Sequence, residues 1–447
     1  MQTIIEMTKF AKSVLGKQKV EYTKSYRLMN FCMILDIDNH KIIFNNLTKQ
    51  LSILSQEDLE VLEILPSVPI GNYFENLVEN WFVVPIDFDE CKLSEQLFKI
   101  YDNLSEKNYI NSFVILTTTD CNARCFYCYE HGVTHTNMSE KTAEDISDYI
   151  INVSKGNDVT IKWFGGEPLY NEKVIDIISN KLRNNNIVYQ SSMTSNAYLF
   201  TDANIKKAVE LWNVKNIQIT LDGTEDIYNR IKNYKHNNDI SPFIKVTDNI
   251  EKILNANINV IVRLNVSDDN RTDIYDLVDY ISERYKKYNN LHVYCSNLFD
   301  LKFIRTTDEI SYLNQEFLKL DKYIHDKGLR KYNLNKWLNH ERGCMAQRKN
   351  SVAISPLGML GKCEHFSEGE RMFGSIYSNI INKSAIDYWF EFKRIPGCKQ
   401  CVIYPDCYGI GNCPDMSKHC DLAEKIVKEN NLKNSITERY FEWKNSK

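Results

Sequence analysis

From residue 113 onward, short apolar runs alternate with longer stretches in which apolar residues recur every three or four positions. The short runs at 113–118, 159–163, 187–193, 216–221, 259–265 and 291–295 read as strands. The stretches at 140–153, 174–183, 202–211, 242–256 and 272–285 read as amphipathic helices. Strand–helix alternation implies a parallel sheet. Six such units make an open barrel rather than a closed eight-stranded one. The expected fold class is α/β, a partial (β/α)6 TIM-like barrel over residues 106–300, with its chemistry at the C-terminal strand ends.

The first 105 residues follow a different pattern. Strands are expected at 27–35, 41–45 and 50–54, with a turn at 36–40. Ser55-Gln-Glu-Asp58 resembles a capping box opening a helix at 58–64, and further helices are expected at 73–82 and 93–104. Three short strands with helices make a winged-helix-like module. Such modules bind peptides by adding them at an open sheet edge, or serve as a structural cap. Residues 301–340 read as a helical linker with a helix near 308–327, and 341–447 as a cysteine-rich domain.

The strand ends carry the candidate chemistry. After the first comes Cys121-Asn-Ala-Arg-Cys125-Phe-Tyr-Cys128, three thiols that one short loop can aim at one point. Three soft ligands suit a cubane iron–sulfur cluster with its fourth iron open. Zinc would need a fourth ligand nearby, and neither His131 nor His135 has a familiar spacing for it. After the second strand comes Gly165-Gly166-Glu167-Pro168. The glycines allow close backbone approach to a ligand, and Glu167, fixed by Pro168, can accept from an ammonium group. Asn196 follows the third strand, Thr220 and Asp222 end the fourth, and Arg263 and Asn265 end the fifth. Cys295, ending the sixth, either faces the cavity or is a small buried hydrophobe.

With these residues in place, 113–295 resembles the radical S-adenosylmethionine enzymes. The resemblance implies that Cys121, Cys125 and Cys128 hold a [4Fe-4S] cluster whose open iron chelates S-adenosylmethionine. Reductive cleavage of that cofactor would supply a 5′-deoxyadenosyl radical. By the same resemblance Tyr127 lies near the adenine, and Gly165, Gly166 and Glu167, with Pro168, hold the methionyl ammonium. Thr220 stands where relatives have a ribose-contacting serine, and Asn196 and Arg263 are cofactor candidates by position.

Seven cysteines return between 344 and 420, an odd number that does not divide into two four-cysteine zinc sites. Cys398-x2-Cys401-x5-Cys407 alone would also suit a zinc knuckle. This stretch resembles the SPASM extension of peptide-modifying radical enzymes: Cys344, Gly358 and Cys363, then Cys398, Cys401 and Cys407, then Cys420. Five residues rather than three separate Cys407 from Cys413, a departure from that pattern. The resemblance implies two auxiliary [4Fe-4S] clusters, three in all. One takes Cys398, Cys401, Cys407 and Cys420. The other takes Cys344, Cys363 and Cys413, and its missing fourth ligand leaves an iron for a substrate thiolate or for a ligand from elsewhere.

Composition narrows the partners. A net charge of −4 argues against a general nucleic-acid or membrane-surface binder. No signal peptide or apolar run of membrane-spanning length is legible, so a cytoplasmic protein is expected. There, 13 cysteines are better explained by metal than by disulfides. The resemblance implies a precursor peptide with a leader sequence, an external electron donor such as flavodoxin or ferredoxin, and thioether cross-linking of a cysteine-containing peptide. The alternatives are formylglycine formation as in sulfatase maturases, carbon–carbon cross-linking and epimerisation. From another class comes a zinc-stabilised peptide-binding protein.

Overall fold

A computed structural model of the chain describes residues 1–66, 71–104, 107–130, 132–235, 240–298, 307–338, 344–390, 396–407 and 422–447. Cys413 and Cys420 lie outside the described residues, as does His131. The chain divides into two compact units. One gathers 1–106, 332–344 and 391–447; the other gathers 107–331 and 345–390.

The second unit is the α/β partial barrel. Its six expected strands are Ser112–Leu116, Val159–Phe164, Tyr189–Ser195, Val214–Leu221, Asn259–Val266 and Leu291–Asn297, hydrogen-bonded in that order and all parallel. The helices Glu140–Ser154, Glu172–Asn184, Asp202–Glu210, Pro242–Asn255 and Asp273–Tyr285 match the expected stretches. A further helix, Glu225–Lys232, follows the fourth strand. The alternation along each strand is physical. Ile217, Ile219 and Leu221, like Val260, Val262 and Leu264, are wholly buried apolar residues, while Gln218, Thr220 and Arg263 between them are only partly buried. The first set packs outward and the second lines the lumen.

The sheet continues beyond its first strand. Ser351–Ile354 pairs in parallel with Ser112–Leu116, and Met359–Gly361 and Met372–Ser375 complete an antiparallel meander, giving nine strands among the described residues.

The first unit holds a four-stranded antiparallel sheet. Its order is Gln2–Ile5, Gln50–Ile53, His40–Asn45, Cys32–Ile37. The expected single strand at 27–35 is in fact two, Tyr26–Leu28 and Cys32–Ile37, in different sheets. A turn breaks it: Cys32 N donates to Met29 O at 2.9 Å, and the buried Glu90 carboxylate accepts from Asn30 N at 3.0 Å. Asp38 and Asn39 both have positive φ, the conformation of a tight hairpin. Ser55 and Asp58 form the expected capping box.

The segment with Cys398, Cys401 and Cys407 packs inside this same unit. Phe31 stacks on Tyr404 at 5.9 Å, Cys91 Sγ donates to Cys398 O at 3.7 Å, and Asn46 Nδ2 donates to Val402 O at 2.7 Å. Lys49, 1% exposed, pairs with Asp406 at 2.7 Å. Replacing Lys49 by Met removes the cation from a half-buried carboxylate and is expected to cost about 3 kcal/mol in urea denaturation. A double variant that also replaces Asp406 by Asn should recover part of that loss.

Candidate functional site

The cysteine loop follows the first barrel strand, and three neighbouring strand ends hold it. The second does so through backbone: Gly166 N donates to Thr118 O and Glu167 N to Asp120 O, each at 3.0 Å. A Cβ at Gly165 would lie 2.1 Å from Thr118 O, and one at Gly166 2.3 Å from Asp120 O. These contacts are impossible for any larger residue. Gly165 also has φ +126°, which L side chains avoid.

Glu167 is wholly buried. Its carboxylate accepts from Ser195 Oγ at 2.8 Å, Asn196 N at 2.8 Å and Leu169 N at 3.2 Å. A carboxylate has about four acceptor sites, so capacity remains for one further donor. Asn196 reaches back to the loop, donating from Nδ2 to Asn122 Oδ1 at 2.7 Å and to Cys121 Sγ at 3.7 Å. Pro168 opens one turn of 3-10 helix, and its carbonyl accepts from Thr117 Oγ1 at 3.1 Å.

On the other side, the end of the Glu225–Lys232 helix grips the loop. Arg124 N donates to Lys232 O at 2.9 Å and Lys235 N to Asn122 O at 2.8 Å. The buried Lys232 ammonium pairs with buried Asp222 at 2.8 Å and donates to Tyr127 OH at 3.0 Å. Tyr127 OH in turn donates to Asp222 at 3.0 Å, and Asn265 Nδ2 donates to Asp222 Oδ1 at 2.9 Å. Burial opposes the charge on Lys232, but Asp222, Tyr127 and Cys125 together raise its pKa well above the usual lysine value. Burial raises Tyr127 well above the usual tyrosine value, so its phenol is neutral.

The thiols are electrostatic neighbours. Burial lifts Cys121 to about 12, and Glu167, Cys125 and Cys128 push in the same direction. Burial also raises Cys128, with Glu130 and Cys125 adding to it. Among the described residues no three His, Cys, Asp or Glu side chains converge as one metal ion would require. A cluster spreads its thiolates over separate irons, and its positive irons would draw the protons from thiols held neutral here. The glycine seam, the three neighbouring thiols and the spare acceptor on Glu167 fit a cluster with an ammonium-bearing ligand beside it.

Residues 115–281 match the model of the Radical SAM superfamily. They are a radical S-adenosylmethionine domain. An uncharacterized protein of Methanocaldococcus jannaschii is 35% identical over 128 residues, 27% of this chain; the match spans 43% of that protein, less than half its length. A GTP 3′,8-cyclase of Clostridium perfringens is 25% identical over 299 residues, 60% of this chain and 85% of the cyclase. The solved structure of native anSMEcpe with bound AdoMet and Cp18Cys peptide is 17% identical, with a TM-score of 0.57, covering 75% of this chain and 99% of that one. That likeness is one of fold.

Other expected residues of the radical S-adenosylmethionine domain lie nearby. Thr220 and Arg263 are adjacent in register on the fourth and fifth strands. Cys295 is buried on the helix-facing side, between Tyr294 and Ser296, and burial raises it to about 12. Cys363 belongs to this unit; Cys344, Cys398, Cys401 and Cys407 belong to the other. Lys232, Lys235 and Asp120 were not read from the sequence. Lys235 Nζ donates to Asp120 Oδ1 at 2.8 Å, and that same oxygen accepts from Cys121 N at 2.8 Å. Their only signal was the Asp222-Gly223 turn followed by acidic residues 225 and 226, which opens the missed helix. No described helix is long and apolar enough to cross a membrane.

Replacing Lys232 by Met strands a wholly buried carboxylate and is expected to cost about 3–5 kcal/mol in thermal or urea unfolding. Adding Asp222→Asn should restore much of it. Glu167 gives a pH dependence. Burial lifts it from 4.5 to about 7. Between those values the folded chain holds the proton that the unfolded chain has lost, so its contribution to stability is full below about pH 4.5 and falls as pH rises through about 7. Glu130, also lifted to about 7 by burial, adds the same sign. Glu167→Gln should therefore reduce, without abolishing, that slope in denaturation of the cluster-free chain.

Proposed function

We propose that this chain modifies a ribosomally made, cysteine-containing peptide by radical chemistry, joining a cysteine sulfur to a carbon of another residue. The observation that carries the reading is the place of Cys363. Tyr129, one residue after Cys128, has Glu130, Cys128, Glu364 and Cys363 as its electrostatic neighbours, and its ring stacks on His365 at 4.5 Å. A cysteine of the C-terminal region thus shares one aromatic side chain with the radical-domain loop. The fold likeness to a protein solved with AdoMet and a peptide supports the same reading.

In this reading Cys121, Cys125 and Cys128 ligate the [4Fe-4S] cluster. When bound, the cluster and S-adenosylmethionine supply the radical that takes hydrogen from carbon. Glu167 and the Gly165-Gly166 backbone receive the methionyl ammonium. Pro168 and Asn196 hold that strand end against the loop, Tyr127 is fixed beside it by Asp222 and Lys232, and Thr220 faces the ribose. Cys344, Cys363 and Cys413 hold an auxiliary cluster facing the substrate thiol. Cys398, Cys401, Cys407 and Cys420 hold the other, which accepts the released electron, while an external flavodoxin- or ferredoxin-like donor reduces the cluster of the cysteine loop. The N-terminal module grips the leader of the precursor peptide.

The test joins two measurements. Anaerobically reconstituted chain with reductant should form 5′-deoxyadenosine, and Cys121→Ala, Cys125→Ala and Cys128→Ala should each abolish it. Retained cleavage in any of them overturns the ligand assignment. Co-expression with a small cysteine-rich peptide encoded nearby should remove two hydrogens per cross-link and block the thiol to alkylation. Loss of the sulfur would mean formylglycine formation. Loss of two hydrogens with the thiol still free would mean a carbon–carbon link, and an unchanged mass with inverted stereochemistry would mean epimerisation. GTP consumption with the peptide untouched would favour a cyclase.

A further inference from the structure

Among the described residues, the lumen of the barrel holds a guanidinium with no carboxylate paired to it. Arg263 lies on the lumen face of the fifth strand, partly buried, opposite Thr220 on one side and Tyr294 on the other. Its Nη2 donates to Ser296 Oγ at 3.0 Å. Its Nε is buried and has no hydrogen-bond partner among the described residues. Among the described residues no carboxylate pairs with it. A second cation, Lys162, is matched by Glu364 at 2.8 Å. Desolvating an unmatched charge is costly, and a guanidinium fork is shaped to receive a carboxylate through two parallel bonds.

We propose that Arg263 binds a carboxylate of the substrate, an aspartate or glutamate side chain of the peptide being modified. The proposal rests on the peptide reading above. The chemistry alone would also admit the carboxylate of S-adenosylmethionine, but the placement argues against it. The ammonium and carboxylate of that cofactor share one carbon atom. The candidate ammonium acceptor, Glu167, is tied to the end of the third strand through Ser195 and Asn196. The Arg263 guanidinium leans the other way, onto Ser296 of the sixth strand. Arg263 itself stands on the fifth strand, two strand spacings from the third, about 10 Å along the sheet at ~4.8 Å each. Two groups on one carbon are better met by partners on neighbouring strand ends. His365, whose charged neighbours include Glu364, Lys162 and Arg263, lies in the same lumen two residues from Cys363. A substrate acid at Arg263 and a substrate thiol near Cys363 would therefore enter one cavity.

The test uses the reconstituted full chain and two probes, N-acetyl-aspartate amide and N-acetyl-asparagine amide, read by saturation-transfer NMR. The aspartate probe should bind and the asparagine probe should not, with S-adenosylmethionine already present. Arg263→Gln should weaken the aspartate probe by about tenfold or more, and Arg263→Lys should retain part of the binding. Equal binding of both probes, or full binding to Arg263→Gln, overturns the proposal. Displacement of the aspartate probe by S-adenosylmethionine overturns it in favour of a cofactor site. Failure of the peptide reading would look different: selective aspartate binding would persist while no peptide was modified.

Discussion

The site depends on one backbone seam. Gly165 and Gly166 lie so close against Thr118 and Asp120 that no Cβ fits between them. Two amide hydrogen bonds close that seam and set the height at which the cysteine loop leaves the first strand. Everything else at the site is referenced to it. Glu167 can reach Ser195 and Asn196 only because its backbone is pinned there, and Asn196 then touches Cys121. The Asp222–Lys232–Tyr127 group clamps the opposite side. A flexible run of three cysteines thereby becomes a loop with fixed walls, which is what a ligand with exacting positional demands requires.

Much of the barrel was legible because its signals are periodic. The six strands and five helices are marked by alternating or helical spacing of Ile, Val and Leu, and the structure moves their ends by two residues at most. The cysteine loop and the Gly-Gly-Glu-Pro turn were legible as motifs. What the glycines do was less so. Sequence suggested room for a ligand; the structure finds them pressed on another stretch of chain some 45 residues earlier, a long-range contact with no local signature. Lys232 was missed for a similar reason. Its helix buries only Tyr228, Ile231 and Lys232 itself, so no apolar stripe announces it. The run at 27–35 misled because its apolar residues are continuous, whereas the break depends on Glu90, sixty positions away in sequence.

The first unit carries a parallel lesson. A winged-helix-like module and a cysteine-rich tail look separable in sequence, but Lys49, Asn46, Phe31 and Cys91 all contact the 398–407 segment. Cys398 and Cys407 sit on short turns, Pro396–Gln400 and Tyr404–Cys407, with Cys401 between them. Their order is borrowed from the N-terminal sheet. A substitution in the first fifty residues can thus disturb thiols that lie more than three hundred residues later.

The strand at Ser351–Ile354 has a consequence for how the chain comes to be built. It seals the free edge of the strand that leads into the cysteine loop, in parallel register from Ser112 to Ile115. Its partner is made early in synthesis and it is made late. Contacts between positions so remote slow folding, and an unpaired edge invites wrong partners while it waits. The nascent barrel therefore spends its most vulnerable interval with the edge beside its cysteine loop exposed, and that interval ends only when residues 351–354 arrive.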